Sequence, residues 1–342
     1  MDCTHERALV AELQIGPAGP LPETFGPYTL LGRLGYGGMG VVLDAMSPWG
    51  ERVALKLTRL FLDRRQAEHI ALRFHREARL LAQLDHPGIV PLRDAGIVDD
   101  LAYLALTRIE GASLRAIRRL GPLQLDVVAR VGIRLARTLA HVHESGVVHR
   151  DIKPGNVLID ARGRPVLIDF GIATFVGATR ITNRNDVLGT LGYIAPEVVD
   201  GDSGGALADQ YSLGRVLHTL AASTALATAA DDDARVGRIL AGLDVDWSAF
   251  PTRGRWSSLQ IVVQKMVAED PAKRYPDLDA CADALTAVTA LDVHRAEDAD
   301  RQLVMLARQS LVGEVLPPPA SEASLATTGV RPTVSMRRTS QL

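Results

Sequence analysis

The stretch His149-Arg150-Asp151-Ile152-Lys153-Pro154-Gly155-Asn156 constrains this chain more than any other. It places an acid, a cation and an amide within eight residues, and thirteen positions after Asn156 comes Asp169-Phe170-Gly171. A carboxylate that takes a proton, a lysine that holds a phosphate, and an Asn with a second Asp for Mg²⁺ are the parts needed to move a phosphoryl group. A lone His149 in a polar loop would read as a satisfied core histidine. The joint pattern argues against that reading. The 342 residues include only four lysines (Lys56, Lys153, Lys265, Lys273) and three asparagines (Asn156, Asn183, Asn185), so chance matches needing both types are rare.

A chain of this length buries a sizeable core, divided between two lobes or domains. Its 47% hydrophobic and 23% charged residues describe a globular protein. A formal net charge of -2 gives no pull toward nucleic acid or anionic membrane. Cys3 and Cys281 form neither a disulfide framework nor a metal site, which fits a reducing, cytoplasmic setting. Residues 1–27 read as a weakly structured extension broken by Gly16-Pro17, Gly19-Pro20 and Pro22, with no signal-peptide pattern. The most apolar long stretch, Val216 to Ala230, is interrupted by His218 and too short and mild to cross a membrane.

Strand patterns are expected at Tyr28–Leu31, Val41–Ala45, Arg52–Leu57, Ile89–Leu92, Gly96–Val98 and Leu101–Leu106. Between them, Ile70, Phe74, Leu81 and Leu84 recur at helical spacing from about Gln66 to Leu84. Past Glu110-Gly111 the pattern turns helical. Leu125 to Ser145 reads as a long amphipathic helix stopped by Gly146. Val157–Ile159 and Pro165–Ile168 read as a strand pair about Ala161-Arg162-Gly163. Helices follow near 208–220, 259–268 and 278–291. The expected fold is therefore α+β and two-lobed, a β-rich first lobe at about 28–109 and a mainly helical second lobe at about 110–291. Residues 292–342 are expected to form a tail, with one helix near Arg295–Val312 and then a Pro/Ser/Thr/Ala-rich disordered end.

Gly35-x-Gly37-x-x-Gly40 alone is weak: it fits a dinucleotide fingerprint, a phosphate-covering hairpin or a plain glycine-rich turn. A dinucleotide fold needs a helix next, whereas Val41-Val42-Leu43 is β-rich. A P-loop needs Gly-Lys-Ser/Thr, and no lysine is near. The strand–glycine–strand arrangement instead makes a hairpin whose backbone can lie close over phosphates, because glycine has no side chain to hold them off. In Val53-Ala54-Leu55-Lys56, alternation puts Ala54 and Lys56 on one face, leaving room for a flat base beside a phosphate-reaching ammonium. A surface strand lysine is the plainer alternative. Phe74, Glu77 and Leu81 share a helix stripe, so Glu77 sits among apolar residues and Lys56 is its candidate cation. A solvated Glu77 is the alternative there.

Together these residues resemble the protein kinases of the eukaryotic-like serine/threonine (Hanks-type) class found in bacteria. The resemblance runs from about Tyr28 to Leu291. It takes in the glycine loop, Lys56, Glu77, the catalytic loop, Asp169-Phe170-Gly171, Gly189-Thr190-Leu191-Gly192-Tyr193-Ile194-Ala195-Pro196-Glu197, Asp209-Gln210-Tyr211-Ser212-Leu213-Gly214 and Asp270-Pro271-Ala272-Lys273-Arg274. It implies an ATP site built from Leu34, Gly35, Tyr36, Gly37, Gly38, Met39 and Gly40 above, and from Val42, Ala54 and Leu158 around adenine. Leu106, Thr107 and Ile109 would lie along a hinge reading adenine through backbone groups. Asp151 would orient the acceptor hydroxyl, Lys153 screen the γ-phosphate, and Asn156 and Asp169 bind Mg²⁺ or Mn²⁺. Asp209 would brace the catalytic loop, and Glu197 would pair with Arg274. The implied activity is phosphoryl transfer from ATP to Ser/Thr hydroxyls of protein substrates, with a homodimer for autophosphorylation. Lys153 and Thr190 match the Ser/Thr rather than the tyrosine pattern.

Three departures stand out. Thr107 replaces the usual Glu of the hinge, Leu191 replaces a frequent Pro, and Ala221 to Gly237 lacks the usual Gly-x-x-Pro-Phe. The last keeps open an alternative, a nucleotide-binding scaffold without turnover. Phosphate on Thr179 or Thr182, clamped by Arg150, is the expected form of regulation.

Overall fold

The computed structural model describes residues 21–37, 40–59, 67–98, 101–170, 192–202, 204–222, 245–289 and 292–313. The β-rich half is one antiparallel sheet. Its strands are β1 (Thr24–Phe25), β2 (Tyr28–Gly37), β3 (Gly40–Met46), β4 (Arg52–Arg59), β5 (Leu92–Val98) and β6 (Leu101–Thr107), ordered β1-β2-β3-β4-β6-β5. Helix α1 (Ala67–Ala82) falls between β4 and β5 and packs on β5.

Alternation gives this sheet two different faces. Val53, Leu55 and Leu57 of β4 are buried with Val41, Leu43 and Ala45 of β3 and Ala105 of β6, in a cluster closed by Tyr28. The Tyr28 and Tyr103 hydroxyls donate to the same Asp94 oxygen at 2.6 and 2.9 Å. The intervening residues, Val42, Ala54, Lys56, Leu104 and Leu106, share the opposite face through the registers Val42↔Lys56, Ala54↔Leu106 and Lys56↔Leu104. Leu104 and Leu106 belong to the core that continues into the helical half.

That half opens with β7 (Gly111–Ser113) and the short α2 (Leu114–Arg118), whose first turn is capped by the Ser113 hydroxyl accepting from Ala116 N. Helix α3 (Leu125–Glu144) buries Leu125, Val128, Val131, Leu135, Leu139 and Val142, the stripe its periodicity predicts. Strands β8 (Val157–Asp160) and β9 (Pro165–Leu167) complete a second sheet, ordered β7-β8-β9. After α4 (Pro196–Val199), α5 (Ala206–Ala221) is buried on every side from Ala208 to Ala221 and forms the centre of the half. Helix α6 (Arg255–Met266) packs on it and on α3, and α7 (Leu278–Thr289) and α8 (Val293–Gly313) pack on α3. Ala299, Leu303 and Ala307 of α8 are part of the same core.

The two-lobed α+β expectation holds, with local differences. The strand expected at Ile89–Leu92 reduces to a single bridge, Ile89 to Leu167, and β5 begins only at Leu92. Pro87 precedes this stretch and Pro91 lies within it, and neither can donate to a ladder. It still ties the sheets together: Val90 N donates to Leu167 O at 3.0 Å, and Thr107 N to Pro91 O at 2.9 Å. The first twenty residues, 223–244 and 314–342 lie outside the described residues, including most of the Ala221 to Gly237 departure. Among the described residues no helix is long and apolar enough to cross a membrane.

His218 of α5 yields a test of this core. Its ring lies between Trp247 and Phe250, at centroid distances of 5.0 and 5.6 Å, and its Nδ1 has no partner. Burial, aided by nearby Arg215 and only partly opposed by the Asp246 carbonyl, pushes its pKa down to about 4. Between pH 6.5 and 4 the unfolded chain therefore binds the proton more readily than the folded one. The stabilisation is complete above pH 6.5 and drains away as pH falls toward 4. Replacing His218→Phe should flatten that loss. Urea unfolding at pH 7 and pH 4.5 checks it, and an equal pH-dependent drop in both proteins would count against this account.

Candidate active site

The cleft-facing side of the first sheet supplies one wall. Gly35 pairs with Val42, Tyr36 with Val41 and Gly37 with Gly40 at the closing end of the β2–β3 hairpin. Gly40 has φ +142°, and a Cβ there would lie 2.0 Å from Leu57 O, so only glycine fits. Gly35 has open space where its Cβ would be. Below the hairpin, Val42 and Ala54 are half-buried, Leu106 is buried, and Thr107 and Ile109 are half-buried. Leu158 is half-buried on β8, opposite Ser113, and Leu34 is exposed. Gly38 and Met39 at the hairpin tip lie outside the described residues.

The other wall is the loop between α3 and β8. Asp209, 1% exposed at the start of α5, accepts from His149 N and Arg150 N, both at 2.8 Å. His143 Nε2 contacts the same carboxylate at 2.9 Å. Arg150 takes φ +64°, a left-handed conformation rare for a non-glycine residue. His149 is wholly buried and its ring lies 4.5 Å from that of Phe170. Burial drives the His149 pKa down against the pull of Asp209, Asp151 and Asp169.

Asp151 follows. Its Oδ2 receives Asn156 Nδ2 at 2.7 Å and Lys153 Nζ at 2.9 Å, and Asn156 Nδ2 also donates to its carbonyl at 2.8 Å. Because Nδ2 is turned to Asp151, Oδ1 of Asn156 is the atom left to face a cation. Ile168 N donates to Asn156 O at 2.9 Å, which brings the start of Asp169-Phe170 beside the loop. Asp169 also has a positive φ, +62°, and its Oδ1 is bonded to Lys56 Nζ. Burial works to raise the Asp169 pKa. The Lys56 ammonium, with Lys153 and His149 farther off, overcomes this and holds the carboxyl below its ordinary value. Two oxygen donors, Asn156 Oδ1 and Asp169, suit a hard divalent cation that completes its shell with phosphate oxygens and water. Among the described residues no cluster of three or more His, Cys, Asp or Glu side chains could hold a metal unaided.

A protein kinase domain model matches residues 28–285. The chain belongs to the protein kinase domain family. It is 35% identical over 286 residues to serine/threonine-protein kinase PrkC of Bacillus subtilis, covering 81% of this chain and 41% of that protein. It is 34% identical over 281 residues to serine/threonine-protein kinase PknD of Mycobacterium tuberculosis, covering 80% and 41%. The chain thus spans about two fifths of the length of these relatives. Among solved structures, the Mycobacterium tuberculosis PknI kinase domain is similar, with a TM-score of 0.58 and 26% identity over 79% of this chain and 99% of that one.

Within this kinase domain the structure gathers Lys56, Asp151, Lys153, Asn156 and Asp169 about one cleft. It does not join Lys56 to Glu77: Glu77 is half-buried on α1, and the ion pair made by Lys56 goes to Asp169. With the ammonium already engaged by a carboxylate from the opposite wall, the expected anchor is not formed. Glu197 and Arg274 form a bidentate pair at 2.6 and 2.8 Å, with the Arg274 side chain fully buried and also donating to three backbone carbonyls. Thr179, Thr182, Thr190 and Gly171 lie outside the described residues. Sequence reading missed His143 as the third partner of Asp209. It also missed Arg215, fully buried on α5, which donates from Nε to Gly192 O at 2.8 Å. The His141-Val142-His143 pair of imidazoles at the end of α3 was the available signal for the first.

The Asp209 brace makes a quantitative expectation. An amide cannot accept from two backbone N–H groups and His143 as the carboxylate does, so Asp209→Asn leaves a buried donor poorly matched. This should cost about 1–3 kcal/mol and lower the unfolding midpoint. Urea unfolding measures it, and an unchanged midpoint would show that the brace contributes little.

Proposed function

We propose that this kinase domain transfers the γ-phosphoryl group of ATP to serine or threonine hydroxyls of protein substrates. The observation that carries this is Asp151, whose Oδ2 is held by both Lys153 and Asn156 on a loop fixed by Asp209, facing the Lys56–Asp169 pair. With Oδ2 so engaged, Oδ1 accepts the proton of the acceptor hydroxyl as its oxygen bonds to the γ-phosphorus. The bond from that phosphorus to the β–γ bridging oxygen breaks, and ADP leaves with the electron pair. Lys153 neutralises charge on the transferring group. Lys56 meets the remaining phosphates on the same sheet face as Ala54, where no large side chain blocks the base. Val42, Ala54, Leu106 and Leu158 offer apolar surface to adenine, and backbone groups from Thr107 to Ile109 offer it hydrogen bonds. Bound between Asn156 and Asp169, Mg²⁺ or Mn²⁺ would supply positive charge to the phosphate oxygens.

Serine/threonine choice is supported by Lys153 beside Asp151 and by the relatives' printed activity. A reducing cytoplasmic setting is supported by the cysteine usage, with Cys3 and Cys281 too few and too far apart in sequence for a disulfide framework. Autophosphorylation in a homodimer, at Thr179 or Thr182, completes the proposal.

Labelled ATP incubated with the protein and a generic basic acceptor tests it. Asp151→Asn should reduce transfer by about 10²–10⁴-fold while nucleotide binding persists. Wild-type protein that binds nucleotide yet transfers nothing to itself or the acceptor would leave the scaffold reading instead.

A further inference from the structure

The hairpin β8–β9 carries the two metal donors at its open end: Asn156 immediately precedes β8, and Asp169 lies two residues past β9. Its closed end, Asp160 to Arg164, is tightly made. Asp160 Oδ1 accepts from Arg162 N at 2.9 Å and Arg164 N at 2.8 Å, and Gly163 takes φ +75°. Helix α8 lies against this turn. A Cβ on Gly163 would sit 2.4 Å from Asp300 O, so the α8 backbone approaches as closely as a glycine permits.

Side chains lock the approach. Asp300 accepts from Arg130 Nε and Nη2, both at 3.1 Å, and from Arg134 Nη2 at 2.7 Å. Arg134 Nη1 turns to Gly163 O at 3.1 Å. One carboxylate thus joins α8 to α3, and one of its arginines joins both to the hairpin turn. All three side chains are a quarter exposed or less. The matched family region ends at residue 285, before α8 begins at Val293, so the Asp300 side of the clamp lies outside it and the Arg130, Arg134 and Gly163 side within it. Four-residue β8 spans about 13 Å, and a rigid hairpin of that length transmits a shift of its closed end to its open end.

We infer that α8, through Asp300, fixes the β8–β9 hairpin and thereby sets the spacing of Asn156 and Asp169 for the metal–nucleotide complex. Asp300 is a positioning residue, and the inference rests on the kinase reading of those two donors. Calorimetric titration of the full chain with adenylyl imidodiphosphate, with and without Mg²⁺, tests it. Asp300→Ala should shrink the Mg²⁺-dependent gain in affinity by about 3–10-fold, less than loss of a direct outer-shell partner costs, and leave metal-free affinity unchanged. Should Asp300→Ala fold poorly, Asp300→Asn at the same site and Arg130→Lys provide milder breaks of the same clamp, with a smaller shift in the same direction. A lowered melting temperature with an unchanged Mg²⁺ gain would make the clamp merely structural and overturn the inference. Wild-type protein lacking any Mg²⁺ gain would instead overturn the reading beneath it.

Discussion

The geometry of the site depends on one buried carboxylate. Asp209 reaches from α5, the most enclosed helix, to two successive backbone N–H groups of the loop between α3 and β8. Holding Arg150 at φ +64° costs about 1–3 kcal/mol. Each hydrogen bond to an ionised group returns about 1.5–3 kcal/mol, so two bonds to Asp209 outweigh the strain. The left-handed turn reverses the chain, which sends His149 into the core against Phe170 and leaves Asp151 facing the cleft. Core packing and reactive geometry are therefore set together along His149, Arg150 and Asp151.

The sheet contributes through a different constraint, the two-residue period of a strand. Burying Val53, Leu55 and Leu57 on one side obliges Ala54 and Lys56 to share the other, with no further instruction needed. An ammonium on a largely buried face must find an anion, because desolvation without a partner is costly. Asp169 meets that need here, and its own charge is secured in return. The ion pair of Lys56 thus goes to Asp169 rather than to Glu77 on α1.

Legibility in the sequence followed the range of the interaction. Elements written by a local period, such as β4, α3 and the β8–β9 pair, were readable within a residue or two. Three-residue β7 and five-residue α2 were not, because neither is long enough to show a period. The stretch from Ile89 to Leu92 has strand composition, yet Pro91 within it and Pro87 before it deny it a ladder. The cluster of Asp151, Lys153 and Asn156 was legible because its members are neighbours in the chain. Partner choice across elements was not. Lys56 and Asp169 are separated by 113 positions and Arg130 and Asp300 by 170, and no spacing rule encodes such pairings. For α8, the repeat of Ala299, Leu303 and Ala307 announces a buried face but not the surface that receives it.

The two ends of the segment between Asp169 and Glu197 are tied differently, and the difference assigns them different work. At the far end Arg274 is wholly buried and bonded to Glu197 and to three carbonyls, while Arg215 and Ser212 hold the carbonyls of Gly192 and Tyr193. Breaking a buried pair on one side costs about 3–5 kcal/mol, so that end is permanent scaffolding. At the near end the Asp169 side chain is 33% exposed. Water and ions reach it, which weakens the attraction that holds it to Lys56. A cation arriving with phosphates competes for that carboxylate directly. Glu197 and Arg274 therefore form the fixed frame of the far end, and Asp169 the solvent-reached near end.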